Sequence, residues 1–171
     1  MAVLVQMSGV VAWHRRDNAE ARGRFEEALV AFQDVGAHFN VILVKSDLAH
    51  MERQLGNHAR ALELYRDTIV AFRDTGQRGA VAHQLECIAF IALAQNQLER
   101  ALRLLGAAEA LREQSGTPMT PDEQVDYQRQ VTLARGQLNP ELAAKTWAKG
   151  RVLTMDQAIR YATDANSRMP A

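Results

Sequence analysis

The sequence predicts an all-α fold, a tandem array of antiparallel helix pairs with a repeat of about 40 residues. Three observations carry that reading. Val30-Ala31-Phe32-Gln33-Asp34-Val35-Gly36 returns as Val70-Ala71-Phe72-Arg73-Asp74-Thr75-Gly76, an offset of 40. The same offset links Gly9, Ala49 and Ala89, then Ala21, Ala61 and Ala101, then Phe25, Tyr65 and Leu105, and finally Gly36, Gly76 and Gly116. A fixed period of this length marks a repeat architecture. Composition agrees: the chain holds only 4 prolines and 10 glycines in 171 residues, and its abundant Ala, Leu, Arg, Glu and Gln favour helix.

The first helix of each pair is read at Ala2–Arg15, Phe39–Leu55 and Gly79–Gln95, and the second at Asn18–Val35, Ala59–Thr75 and Glu99–Ser115. Ala2–Arg15 is the shortened member. It is apolar from Met1 to Trp13, but its positive charges, His14, Arg15 and Arg16, follow the apolar run instead of preceding it, unlike a signal peptide. The run is also shorter than the roughly 20 residues a membrane-spanning helix needs. A buried helix in a soluble, cytoplasmic chain is expected. Gly36, Gly76 and Gly116 fall where a helix needs a left-handed residue at its C-terminus, and Gly56-Asn57 marks the turn inside the second pair.

Within a pair, spacing follows packing. Gly9, Ala49 and Ala89 are small so that the first helix can approach a neighbour closely. Ala21, Ala61 and Ala101 repeat the device on the second helix. Phe25, Tyr65 and Leu105 fill the gap, and Ala28, Thr68 and Ala108 are small again. After Gly116 the register fades. Thr120-Pro121-Asp122-Glu123, Asn139-Pro140 and Thr154-Met155-Asp156-Gln157 each read as a helix start, the first with proline at N1 and a capping box. One face gathers Tyr127, Val131, Ala134 and Leu138, and another Met155, Ala158, Ile159 and Ala162. Residues 1–116 thus form three helix pairs, 117–165 a degenerate fourth pair with a capping helix, and 166–171 a frayed tail.

The small–small–large–small order resembles the tetratricopeptide repeat, most specifically in Leu48-Ala49, Leu55-Gly56, Ala61 and Tyr65. That resemblance implies a right-handed superhelix of stacked pairs. The period exceeds the usual ~34 residues, and no position holds that repeat's terminal proline. A second resemblance rests on Leu104-Leu105-Gly106-Ala107-Ala108-Glu109-Ala110-Leu111-Arg112-Glu113, Gly116 and Pro118, followed by Trp147-Ala148-Lys149-Gly150-Arg151-Val152-Leu153-Thr154-Met155-Asp156-Gln157-Ala158-Ile159. These motifs, within residues 98–165, resemble the C-terminal end of large bacterial regulators of the LuxR type. Such regulators join a signal-transduction NTPase to a tetratricopeptide array with an output domain. The resemblance implies a sensor or scaffold segment that is either a piece of a larger regulator or a freestanding relative.

The chain carries none of a regulator's catalytic parts. It has no G-x-x-x-x-G-K-[ST] loop and no helix-turn-helix with a basic recognition helix. Its 20 basic and 20 acidic residues cancel, so no overall field favours nucleic acid. Arg15-Arg16 and Arg22–Arg24 are interleaved with or followed by Glu20, Glu26 and Glu27, which reads as a solvated mixed face. The single cysteine, Cys87, excludes an intrachain disulfide and fits a reducing compartment. His83, Glu86 and Cys87 share a helix, but a structural zinc site takes four ligands and no second pair completes it. No serine sits in a nucleophile motif, and the carboxylates lie mainly beside arginines. Neither a metal, a cofactor nor an enzymatic activity is expected.

The reading that remains is a groove that binds a peptide or partner helix. The repeat register projects Gln6, Val10 and Trp13 from the first pair, Leu43, Ser46, His50 and Arg53 from the second, and His83, Glu86, Phe90 and Leu93 from the third onto its concave face. The alternative is a receptor whose groove holds a small effector and controls an attached NTPase. The N-terminal helix, with Val3, Leu4, Val5, Met7, Val10, Val11 and Trp13, is apolar on nearly every side and is expected to pair with a second copy in the isolated chain, or to be covered by a preceding repeat in a longer protein.

Overall fold

The computed structural model describes residues 1–164, apart from the side chains of residues 122 and 126. Every regular element among the described residues is an α-helix: α1 (Ala2–His14), α2 (Asn18–Asp34), α3 (His38–Gln54), α4 (His58–Asp74), α5 (Arg78–Ala94), α6 (Leu98–Ser115), α7 (Pro121–Gly136), α8 (Pro140–Arg151) and α9 (Met155–Thr163). All six helices read from the repeat are present, each end within one residue of its expected place. The tail expected to fray from Asn166 lies outside the described residues. Two compact units, Met1–Ala71 and Phe72–Ala171, meet inside α4.

The helix ends reveal a period half that of the sequence repeat. Arg16, Gly36, Gly56, Gly76, Asn96 and Gly116, spaced 20 apart, all have positive φ, between 58° and 80°. At each, the residue that follows donates its N–H five residues back: Asp17 to Ala12, Ala37 to Phe32, Asn57 to Glu52, Gln77 to Phe72, Gln97 to Ala92 and Thr117 to Arg112, at 2.8–3.2 Å. The positive-φ residue itself bonds three back, as in Gly36 to Gln33 at 3.0 Å. This is the Schellman motif, which satisfies carbonyls that a helix end leaves open. α2 to α5 are accordingly 17 residues each.

In the first unit α2 packs on both α1 and α3, and α1 touches α3. Gly9 sits against Phe25. An added Cβ there would come within 2.9 Å of the ring, which explains the small residue. The other members of the small and large series, Ala49, Ala89, Ala21, Ala61, Ala101, Phe25, Tyr65, Leu105, Ala28, Thr68 and Ala108, are all at most 1% exposed. The inferred packing register therefore holds in every copy.

In the second unit α5 packs on α6, α6 carries α8, and α7 and α9 lie against α5 and α6. All three predicted C-terminal helix starts are capped as read. Thr120 and Glu123 form a reciprocal capping box with Pro121 at the start of α7, and Thr154 and Gln157 do the same for α9. Asn139 Oδ1 accepts from the N–H of Glu141 at 2.9 Å to start α8. Tyr127, Val131 and Ala134 are buried as predicted, whereas Leu138 is half-buried. Arg100 of α6 donates to the carbonyls of Tyr161, Ala162 and Asp164 at 3.0–3.3 Å, satisfying the end of α9. Arg103 lies 4.7 Å from the centre of the Tyr161 ring.

Two stability measurements follow. A side chain in the left-handed region costs about 1–2 kcal/mol more than glycine, and less for asparagine. Arg16→Gly should raise the unfolding free energy by about 1 kcal/mol and Asn96→Gly by less. Chemical denaturation reads both, and a drop in either midpoint would contradict the turn assignment. The α6–α8 crossing is tighter. A Cβ on Gly150 would collide with the Arg103 carbonyl, and one on Gly106 with the Trp147 carbonyl. Gly150→Ala should lower stability by about 3 kcal/mol or more, because backbone cannot yield as a side chain can. A melt within half a kcal/mol of wild type would show that the helices can separate without loss.

Candidate functional site

The face built by the first helices of the first unit is a side-by-side arrangement of α1 and α3. Gln6 Nε2 donates to Asp47 Oδ2 at 2.8 Å, fixing the two helices against each other. Burial raises the Asp47 carboxyl above its ordinary range, and the Gln6 hydrogen bond and His50 oppose that shift. Gln6, Val10, Trp13, Leu43, His50 and Arg53 are half-buried, so each keeps surface for a partner. The Trp13 ring stacks on His14, with centroids 6.0 Å apart. His50 is held on both nitrogens, Nε2 to Ser46 Oγ at 3.2 Å and Nδ1 to Tyr65 Oη at 2.8 Å. Ser46 is buried, so its hydroxyl orients His50 and does not line a groove.

Of the residues projected from the third pair, His83, Phe90 and Leu93 are half-buried. Glu86 departs from the projection. It is 2% exposed and makes a bidentate pair with Arg112 of α6, Nε–Oε1 at 2.7 Å and Nη2–Oε2 at 2.9 Å. It tethers α5 to α6 and is not a rim charge. Arg112 Nη1 also donates to the carbonyls of Thr117 and Pro118, at 3.2 and 3.4 Å, anchoring the connection to α7. Glu123 of α7 approaches His83 Nδ1 at 3.1 Å, and Glu86 approaches it at 3.5 Å. Cys87 is buried, as expected, with Sγ 3.7 Å from His83 Nε2. The His83 imidazole is pushed up to about 10. The charge of Cys87 contributes most, burial opposes it, and hydrogen bonds to Cys87 and Glu86 add to the rise. Burial works to raise the Glu123 carboxyl, but hydrogen bonds from Thr120 and the charges of His83 and Arg112 hold it below its ordinary range. Tyr127 Oη is buried with no hydrogen-bond partner among the described residues. Arg112 and Glu123 were missed in the sequence because they lie 26 and 37 residues from Glu86, outside any local spacing.

The two motifs that carried the regulator resemblance bind each other. Glu109 of α6 accepts from Trp147 Nε1 of α8 at 2.9 Å and from Arg151. Arg151 Nη2 also donates to Glu113 at 2.6 Å. The Arg135 guanidinium lies over the Trp147 ring, 4.3 Å from its centre. With Gly106 and Gly150 at the crossing, the signature is a clamp between α6 and α8. Its signal in the sequence was the pairing of a glycine with acidic residues in one motif and a glycine with Trp and Arg in the other. One further feature lies in the first unit, an open depression of about 700 Å³ near the start of α4, lined by Arg22, Glu26, Glu52, Asn57, His58 and Arg60 among others. Within it Glu52 is buried and bonded to Arg22 and Asn57, both at 2.6 Å.

No family model matches the sequence, and no solved structure matches it. Partial matches run to proteins named as HTH-type transcriptional regulators in Mycobacterium bovis and in the CDC 1551 and H37Rv strains of Mycobacterium tuberculosis. Each is 36% identical over 78 residues, which is 46% of this chain. The matched stretch spans only 9% of the length of those curated relatives. Over that stretch the chain is similar to transcriptional regulators. No helix among the described residues is long and apolar enough to cross a membrane.

The Glu86–Arg112 pair has a measurable consequence. Removing one partner of a buried ion pair leaves the other charge unpaired, at a cost of about 3–5 kcal/mol. Glu86→Gln should lower the urea midpoint correspondingly. A midpoint equal to that of wild type would return Glu86 to a surface role.

Proposed function

We propose that the chain is a non-catalytic scaffold segment of a bacterial transcriptional regulator. Its helix pairs stack as a tetratricopeptide-like superhelix and take a peptide or partner helix on the face of the first helices. The observation that carries this reading is the similarity to HTH-type regulators over 46% of the chain. Its support in the first unit is the rigid α1–α3 face, where an aromatic, aliphatic side chains and a guanidinium stay half-exposed over a fixed polar layer. Such a face suits an amphipathic helix or extended segment, with Trp13 as the anchor that interfaces favour. A second reading, a receptor for a small polar effector, is favoured by the depression near the start of α4, whose lining mixes Arg22, Arg60 and His58 with Glu26.

The two readings separate in one set of measurements. The immobilised protein is offered peptides tiling a full-length mycobacterial relative. Trp13→Ala combined with Arg53→Glu should weaken the captured peptide at least tenfold, the effect of losing about 1.4 kcal/mol at an anchor, with unchanged helicity. Equal binding by variant and wild type would remove the α1–α3 face from the reading. A thermal shift with a metabolite that disappears in Arg60→Ala would instead support the effector site.

A further inference from the structure

We propose that the cleft between α6 and α8, in the second unit, binds a phosphate group. Leu142, Lys145, Thr146 and Lys149 of α8 line it with Glu99 and Arg103 of α6, around a volume of about 90 Å³. The spacing i, i+3, i+4, i+7 sets the four α8 residues on one stripe, and Glu99 and Arg103 stand one turn apart on α6. The close crossing at Gly150, where a Cβ would meet the Arg103 carbonyl, keeps the two helices together beside the cleft.

The lining is not what two packed helices need. A stripe turned toward a neighbour is ordinarily apolar, and here Leu142 is joined by two lysines and a hydroxyl. Lys145 and Lys149 are like charges four residues apart, a spacing that weakens a helix. Among the described residues neither makes an ion pair. Lys149 lies in the last turn of α8, where a cation complements the open carbonyls. Lys145 stands a turn earlier and has no such compensation. Thr146 is 6% exposed. Its hydroxyl has no hydrogen-bond partner among the described residues, not even the carbonyl one turn back that a helical threonine can take. A buried hydroxyl without a partner is costly, and this one belongs to a residue that shares the cleft with three cations. The third of them, Arg103, is held by the Tyr161 ring of α9, 4.7 Å from its centre.

Three cations and a hydroxyl donor set against one carboxylate, Glu99, select an anion that accepts several hydrogen bonds. Size decides among anions. A pocket that encloses a drug-sized molecule takes roughly 300 Å³ or more, so a nucleoside does not fit. A tetrahedral oxyanion, a few water volumes in size, does. Phosphate carries up to about two negative charges at neutral pH, which matches the positive charge left once Glu99 offsets one of the three cations. The group is either free phosphate or the end of a small molecule whose remainder lies in solvent.

Calorimetric titration and thermal unfolding of the whole chain test this with inorganic phosphate, against chloride at equal ionic strength. Phosphate should raise the unfolding midpoint saturably where chloride does not. Lys145→Gln with Lys149→Gln, both at exposed positions, should abolish the rise with helicity unchanged. Thr146→Val matches the side chain in shape and should weaken binding at least tenfold, by removing a hydrogen bond to a charged group. Glu99→Gln should bind phosphate several-fold more tightly, an effect that lost packing cannot produce. Adenosine triphosphate separates the two sources. Tighter binding than phosphate, lost in the same variants, identifies the end group of a larger molecule, and weaker or equal binding identifies the free ion. A midpoint no higher in phosphate than in chloride would overturn the assignment, as would a rise retained in the double lysine variant. Binding of a DNA duplex without binding of phosphate would overturn it equally and give the lysines to a nucleic-acid surface.

Discussion

A left-handed residue every 20 positions is the constraint on which the rest of this structure depends. It closes each of α1 to α6 with a Schellman turn and leaves three residues to reverse the chain between consecutive ones of these helices. Helices of 17 residues follow directly. Because helix and turn lengths are both fixed, a given step along one helix meets the same step of its neighbour in every copy. That regularity lets Gly9, Ala49 and Ala89 serve one purpose, and Phe25, Tyr65 and Leu105 another. A single inserted residue would rotate everything downstream by about 100° and turn the buried stripe toward water.

Glycine is the cheapest occupant of the left-handed position, and it stands at four of the six turns. The two exceptions concealed the shorter period. Arg16 and Asn96 take the same backbone angles without glycine, so the glycines mark the 20-residue step only from Gly36 through Gly56 to Gly76. The helices were legible from the repeat, and the C-terminal starts from Thr120, Asn139 and Thr154, since capping is local chemistry. Burial depth was less legible. Periodicity assigns a residue to a side of the helix, but how far that side sinks depends on neighbours distant in sequence. Glu86 was read as lining the groove because the repeat register projects it onto that face. Its partner is Arg112, on another helix.

Burial of Glu86 and Ser46 changes the character of the candidate surface. Both would have supplied polar contacts to a bound peptide, and both are spent on internal order: Ser46 on His50, and Glu86 on Arg112. What stays half-exposed in the first unit is more apolar than projected, namely Val10, Trp13 and Leu43 beside Gln6 and Arg53. Gln6–Asp47 and His50–Tyr65 hold that face in an ordered arrangement. A pre-ordered face loses less conformational freedom when it binds, so a few apolar anchors can suffice.

The motifs that resemble bacterial regulators turn out to be a packing device, and that limits what they say about chemistry. Glu109, Glu113, Trp147 and Arg151 satisfy one another across a backbone crossing that only glycines at 106 and 150 permit. Residues so mutually constrained are hard to vary one at a time, since each change strands a partner at a partly buried contact. Such a clamp can therefore identify an architecture while leaving the ligand open. Specificity has to reside where side chains are not already committed to each other. In this chain that means the half-exposed residues of the first helices. The clamp holds α8 tightly on α6, and that is a structural role.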